Sequence, residues 1–440
     1  MTGEQIASLG PAVSAFLEPF TQAAFPTTCS ARHLSQYTLG LMSDLKRKSV
    51  EPIALASGVA VRTLQEFLSH MPWDHGAAQR LLVRQVAKHH AAPLPGAVGV
   101  IDESAHAKQG TKTPGVQRQY CGETGKIDNC VVGVHLLYAA PGEQPNDSAL
   151  DNPFTCTVAS DLYLPKSWAD DWERRREARI PDELIFRPKW RIALDLLKAS
   201  VGQGLRFNYV TFDEGYGQVP AFWEELNAAG QWAVGEVPSN FHAWATPPKY
   251  QSLQAPFASK PVLNLAAHSP VFYGQAWREM HVKDTTRGKE VWKVKHAMVQ
   301  IPDSRTGRPS ERKYHLIIAW RLRGEGKPEG VHGGSEVKYF LSNAPEGTDL
   351  LEILRAAFCR WQVEKWFERA KQEAGLGAFE VRTYRSLIRH WLCCRLTMLF
   401  LAEQTTRLRG EKSADHLRAG GRGVAPALAA DHGPGLAVVA

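Results

Sequence analysis

Across residues 1–93 the apolar positions recur at the three-to-four spacing of helices, as in "HLSQYTLGLMSDL" and "AAQRLLVRQVAKHH", and the pattern stops at "AAPLPG". This spacing predicts an all-α domain. Within it, "SVEPIALASGVAVRTLQEFLSHMPWD" puts Ala54, Gly58, Val59, Leu64 and Phe67 where a helix-turn-helix needs a small contact residue, a turn glycine and buried apolar side chains. Arg62, Thr63, Gln65 and Glu66 then face outward. A helical hairpin with a glycine turn occurs in all-helical domains of any kind, so the pattern alone leaves two readings open. The preceding "DLKRKS" adds basic charge and favours DNA.

From residue 97 the period changes. "GAVGVID", "NCVVGVHLLYA" and "PFTCTVASDLYL" are short runs rich in β-branched and aromatic residues, bounded by Gly, Pro, Asn or Asp, and they predict an antiparallel meander. A charged stretch and the helical pattern "KWRIALDLLKASVGQG" follow, and then the strand "LRFNYVTFDEGYG". Three strands, a helix and a strand match the first half of an RNase H-like fold, in which helices cover a mixed sheet. Residues 94–229 are read as the first part of this α/β catalytic domain and 230–345 as a β-rich insertion with a return strand, "TTRGKE" forming a hairpin loop. Residues 346–408 supply the closing helices, and 409–440, rich in Gly, Ala and Pro, form a flexible tail.

Composition narrows the class. The chain has 440 residues, 44% hydrophobic and 22% charged, as in globular proteins with room for two or three cores. Lys and Arg (52) outnumber Asp and Glu (45), giving a net charge of +7, which suits an anionic partner such as nucleic acid without requiring one. The seven cysteines form no CxxC pair and are read as reduced packing thiols, with the cytoplasm or nucleoid as the expected compartment. No stretch has the length and apolarity of a membrane span or a signal peptide. The scattered histidines offer no zinc spacing, and "GVQRQYCGETGK" lacks the spacing of a Walker loop.

Two aspartates, Asp102 after "AVGVI" and Asp213 after "FNYVTF", are expected at strand ends, facing one cleft at the sheet rim. Taken singly, each also fits a turn aspartate. In "RWQVEKWFERAKQEAGLGAFEVR", Arg360, Glu364 and Lys371 fall within about 40° of one another on a helix, while Trp361 and Trp366 are read as core. Ion pairs on a solvated helix face would give the same stripe.

The run "VIDESAHAKQGTKTPGVQRQYCGETGKIDNCVVGVHLLYA" resembles the first catalytic segment of DDE-superfamily insertion-sequence transposases. "DLYLPKSWADDWERR", "VTFDEGYG", "KYFLSNAP" and "VEKWFERAKQEAGLGAFEVRTYRSLIRHW" resemble later landmarks of that family, in the same order. The resemblance implies Asp102, Asp213 and Glu364 as the catalytic, metal-binding carboxylates. It also implies a signature of Tyr, two residues, Arg, three residues, Glu, six residues, Lys. Arg360, Glu364 and Lys371 keep it, but Ala357 stands at the tyrosine position. Glu103 falls where relatives often have a second aspartate and is an accessory candidate.

Two carboxylates at ~4 Å repel by about 4 kcal/mol at an effective dielectric near 20, so gathering three makes sense around hard divalent cations, a pair of Mg2+ or Mn2+ ions. Arg360 and Lys371 would contact phosphates, and Arg62, Arg118, Lys126 and Arg382 are further DNA-binding candidates, with Arg385, Arg389 and His390 at the DNA backbone. The implied function is a transposase that binds terminal inverted repeats as a synaptic homodimer, cleaves DNA and joins 3′ ends to target DNA. The alternatives are a domesticated, catalytically silent DNA-binding protein derived from such an enzyme and, prompted by the 13 tryptophans, a carboxylate-pair glycosidase.

Overall fold

The computed structural model describes residues 9–89, 96–140, 154–245, 259–285, 288–322 and 335–409. The tail beyond Arg409, most of the "AAPLPG" break and the tip of the "TTRGKE" loop lie outside them.

The N-terminal region folds into α1 (Leu9–Ala24), α2 (Thr28–Met42), α3 (Val50–Ala56), α4 (Val61–Ser69) and α5 (His75–His89). Thr27 caps α2, its hydroxyl accepting the Ser30 N–H at 3.4 Å. Between α3 and α4 the chain reverses at Gly58, whose φ of 63° would strain any residue with a side chain. Ala54, Leu64 and Phe67 are fully buried, while Arg62 and Gln65 face solvent, so the predicted helical pair forms.

The sheet is built from β1 (Val98–Ala107), β2 (Gln117–Cys121), β3 (Lys126–Ala140), β4 (Phe154–Leu162), β5 (Tyr209–Phe212), β6 (Ala233–Val237), β7 (Arg278–Thr285), β8 (Gly288–Val299), β9 (Tyr314–Leu322) and β10 (Ser335–Ser342). Its order is β2-β3-β1-β5-β6-β10-β9-β8-β7, with β4 pairing β3 beside β2. Antiparallel pairs join β3 to β1 and β4, whereas β1, β5 and β6 run parallel. This large mixed α/β sheet is consistent with an RNase H-like domain. The predicted β-rich region extends the same sheet, because β10 pairs antiparallel with β6 and hands on to β9, β8 and β7.

Helices cover both faces. Successive strand residues point to opposite sides. Glu103 on β1 meets Lys189 at the start of α6 (Lys189–Gly202), whereas His106 on the other face meets Phe379 and Trp391. The shorter α7 (Pro220–Ala228) follows β5. Three helices close the chain: α8 (Leu350–Phe358), α9 (Trp361–Glu373) and α10 (Tyr384–Arg409). Asp349 caps α8 by accepting the Leu351 N–H at 3.1 Å. What reads as one helical run is interrupted by a turn at Cys359 and Arg360, after which α9 packs over β1. Trp391 of α10 presses onto Gly133 of β3, where a Cβ would come within 2.8 Å of the indole.

The N-terminal helices share one hydrophobic core with the sheet and with α10. Arg389 of α10 is 2% exposed and donates to the carbonyls of Phe67, Leu68, Met71 and Trp73, closing the C-terminal end of α4. Lys48 donates to Leu41 O and Glu373 O at 2.7 and 2.8 Å, tying the α2–α3 link to the end of α9.

Candidate active site

The parallel register of β1 and β5 pairs Val98 with Tyr209, Gly99 with Val210 and Val100 with Thr211. Two residues further along both strands, the same register sets Asp102 beside Asp213, on chains roughly 4.8 Å apart. The expectation for Asp102 needs one correction. It lies within β1, not at its end, because β1 stays paired to β3 as far as Ala107. What ends there is β5, and Asp102 opens towards the space its neighbour vacates.

Asp213 caps the short turn Glu214–Gly217, its Oδ1 accepting the Gly215 and Tyr216 N–H groups at 3.0 and 3.4 Å. Asp102 Oδ1 accepts the Glu103 N–H at 2.7 Å. Burial first, and the charge of Asp213 second, push the Asp102 carboxyl up to about 7.

Arg360 ties the aspartates to the glutamate. Its guanidinium lies 3.4 Å from Asp102 Oδ2 and donates to Glu364 Oε1 at 2.8 Å. Burial works against its charge, but Asp102 and Glu364 outweigh that, and its pKa stands above the ordinary arginine value. Glu364 remains half-exposed, at 48%. Asp102, Asp213, Arg360 and Glu364 therefore gather where β5 ends beside the middle of β1. Among the described residues no three acidic, His or Cys side chains are close enough to share one metal ion as they stand. Arg360 takes up Glu364 instead.

The other candidates are placed elsewhere. Lys371, two turns further along α9, sets its charge against the buried rings of His106 and His135, which burial and that charge hold neutral. Arg118 and Lys126 are exposed on the β2–β3 hairpin, Arg382 is exposed before α10, and Arg62 is exposed on α4 in a 2.9 Å pair with Glu66. Glu103 is held by Lys189 at 2.7 Å on the opposite face of β1. Arg389 and His390 are corrected. Both are buried, Arg389 on backbone carbonyls and His390 between Tyr37 Oη and Gly375 O, so neither can reach a DNA backbone. Trp366 is core as expected, but Trp361 is 46% exposed, with the Lys365 ammonium 4.3 Å from its ring centre.

Two features of the site escape a reading by pattern. Glu236 of β6, paired with Lys338 of β10 at 2.7 Å, adds to the field on Arg360. Tyr216 is buried, and its hydroxyl has no hydrogen-bond partner among the described residues. Its only sequence signal is its place three residues after Asp213 in "DEGYG".

Residues 21–289 match the family described as DDE superfamily endonuclease, a stretch covering more than half of the chain and including Asp102 and Asp213. The chain belongs to the DDE superfamily endonucleases. The family match also takes in α2 to α5, so these helices lie within the family's shared region, while Glu364 lies beyond it. A curated relative, the probable transposase for insertion sequence element IS701 of Microchaete diplosiphon, is 30% identical over 210 residues, covering 46% of this chain and 48% of that protein. The chain thus spans about half the length of the curated relative it matches. Among the described residues of this DDE endonuclease no helix is long and apolar enough to cross a membrane.

Proposed function

We propose that this DDE endonuclease is a DNA transposase with Asp102, Asp213 and Glu364 as its catalytic carboxylates. The observation that carries the reading is the cluster at the end of β5, where Asp102 stands beside Asp213 and is joined to Glu364 through Arg360. Membership of the family and the likeness to an insertion-sequence transposase support it.

The donor set is all oxygen, and the charge of Asp213 opposes ionisation of Asp102, which suits Mg2+ or Mn2+ at these carboxylates, with Glu364 completing the set once it leaves Arg360. Bound divalent ions would supply Lewis-acid activation of the scissile phosphate and of the attacking oxygen. The chain's own residues do the rest. Asp102 and Asp213 are held in place by backbone N–H groups, so their oxygens are fixed before DNA arrives. Arg360, released from the carboxylates, presents a bidentate fork to a phosphate. Lys371, Arg118, Lys126 and Arg382 extend the cationic surface for the DNA path. The α3–α4 pair, with Arg62 outward, reads the terminal inverted repeats as an N-terminal DNA-binding region, and two copies hold two ends in a synaptic homodimer that transfers the 3′ ends to target DNA.

The test is the full chain with DNA carrying the inverted repeats that flank its gene. Cleavage and strand transfer are expected with Mg2+ or Mn2+ and none with excess chelator. Undiminished cleavage in chelator, or no cleavage of such ends with either ion, overturns the reading.

A further inference from the structure

The β-rich extension β7–β10 leaves an aromatic, basic patch open to solvent. On one side of these strands, Trp292 of β8 and Phe340 of β10 pack on Phe358 of α8, with ring centroids 4.9 and 5.4 Å away. Phe340 pairs with Glu236, which the β5–β6 register sets beside Asp213, so this is the side that carries the aspartates. Residues next to Trp292 and Phe340 point the other way. There the pairing aligns Glu279, Lys293, Trp320 and Val337 in one row across four strands. Val337 is 44% exposed, and Trp277, just ahead of β7, is 43% exposed.

Trp277 and Trp320 lie 6.2 Å apart between ring centroids, tilted by 40°. With Glu279 and Lys293 they line a cleft of about 370 Å3, within the roughly 300–1,000 Å3 of ligand sites. Each indole has an ammonium beside it. Lys295 Nζ lies 4.9 Å from the ring centre of Trp277, and Lys293 Nζ lies 5.5 Å from that of Trp320. Both lysines are held there, Lys295 by donating to Phe272 O at 2.9 Å and Lys293 by Glu279 at 3.6 Å. Lys289 stands further along the same side of β8, so the face is basic as well as aromatic.

Indole rings beside ammonium groups suit a ligand that offers flat rings and phosphates together. Single-stranded nucleic acid does so, its bases stacking on the indoles while the lysines follow its backbone. Duplex DNA keeps its base faces inside its own stack, so it would engage the lysines and leave the tryptophans unused. A protein partner would also take the tryptophans, but the cores of protein interfaces are depleted in lysine, and here a lysine sits against each ring.

We infer that the Trp277–Trp320 cleft is a binding site for single-stranded DNA, on the side of the sheet opposite the aspartates and so separate from the cleavage site. It deepens the transposase reading proposed above and rests on it for the choice of DNA as ligand. The binding itself needs neither the carboxylates nor a metal ion.

The experiment uses the full chain in excess chelator, so that no strand is cut, and follows the fluorescence anisotropy of a labelled single strand of about 16 nucleotides and of the same sequence as a duplex. Wild type, Trp277→Ala, Trp277→Phe and Trp320→Val are compared, with melting temperatures to confirm folding. Wild type should bind the single strand. Trp277→Ala and Trp320→Val should each bind it about 10-fold more weakly, the scale of one lost base stack, with duplex affinity within about 2-fold of wild type. Trp277→Phe keeps an aromatic face and should stay within about 3-fold. Wild-type affinity of folded Trp277→Ala for the single strand overturns the inference. Equal losses for single strand and duplex, or a Phe variant as weak as the Ala variant, also overturn it, because neither marks stacking. A change from dimer to monomer in Trp277→Ala by sedimentation, with single-strand affinity unchanged, assigns the face to a second copy of the chain and overturns it too. Single-strand binding that depends on Trp277, in a protein that cuts no end DNA with Mg2+ or Mn2+, supports this site while overturning the transposase reading.

Discussion

The Arg360 guanidinium lies 3.4 Å from Asp102 Oδ2, bringing the start of α9 onto the middle of β1. The same group holds Glu364, so one side chain pairs with two carboxylates. Replacing Arg360 with Ala leaves both without a counter-charge. We expect a loss of about 1–3 kcal/mol in stability, below the 3–5 of a fully buried pair because the site is partly open to solvent. DNA cleavage should fall by at least about 100-fold, the scale of losing one charge-stabilising donor. Arg360→Lys should recover most of the stability but little of the cleavage, because an ammonium lacks the planar two-pronged fork that matches a phosphate. Denaturant unfolding and end-cleavage rates on the same preparations check both, and full cleavage by the Lys variant would sink the idea.

Asp102 also carries a pH signature. Its folded pKa of about 7 exceeds the value of roughly 3.9 expected in the unfolded chain. Between those values the folded protein holds a proton that the unfolded chain has released, so raising the pH through this window lowers stability. The cost is absent below about pH 4 and complete above pH 7, where three pKa units correspond to about 4 kcal/mol as an upper bound. Asp102→Asn removes the titration. Without divalent ions, the variant should be more stable than wild type at pH 8 and much less so at pH 5. Urea unfolding at the two pH values decides it, and an equal difference at both contradicts the assignment.

What the sequence conveys and what it conceals divide along physical lines. β3 and β5 are apolar runs between turn formers, and both were legible. The second half of β1, "ESAHA", looks like a loop because it is polar, yet Ser104 and His106 are buried under the closing helices, which pattern within the strand cannot reveal. The proposal of Asp102, Asp213 and Glu364 comes from family landmarks and spacing, whereas the contact of Arg360 with Asp102 follows from packing across 258 residues of chain. Trp361 was read as core because it is large and apolar, but it opens α9 beside Lys365 and stays at the surface. Arg389 was read as surface because it is charged. Its acceptors are backbone carbonyls more than 300 residues away, which no local pattern records.

That buried arginine yields a stability prediction. Arg389 reaches four carbonyls around the end of α4 and lies over Trp73, 4.4 Å from the ring centre. Arg389→Met keeps much of the volume but leaves those carbonyls unpaired in the core. A loss of about 3–5 kcal/mol is expected, with α4 and the segment up to Trp73 loosened first. Thermal melting gives the size and amide hydrogen exchange the location. A side chain that only touched DNA would leave both unchanged in the free protein, so an unaltered melting temperature rejects the packing role.

The glutamates of α9 and the loop after it allow the sharpest test of the site. Glu364 is bound to Arg360 and thereby linked to Asp102, whereas Glu368, one turn on, meets Gln372 at the limiting distance of 3.5 Å and points into solvent. Glu380 is ion-paired to Arg47, away from the aspartates. Position on the helix therefore separates a glutamate that can join the aspartates from neighbours of identical chemistry. Glu364→Gln preserves size and hydrogen-bonding capacity but removes the charge that would hold a divalent ion. Cleavage of end DNA should fall below detection while binding of the same DNA, measured by mobility shift, stays within about 2-fold, since the loss of one ligand acts on chemistry and not on the phosphate contacts. Glu368→Gln should keep cleavage within about 3-fold of wild type, the scale of an exposed, weakly bonded group. If folded Glu364→Gln cuts end DNA near the wild-type rate while Glu368→Gln does not, the catalytic glutamate lies one turn further along α9 and Arg360 has a purely structural part.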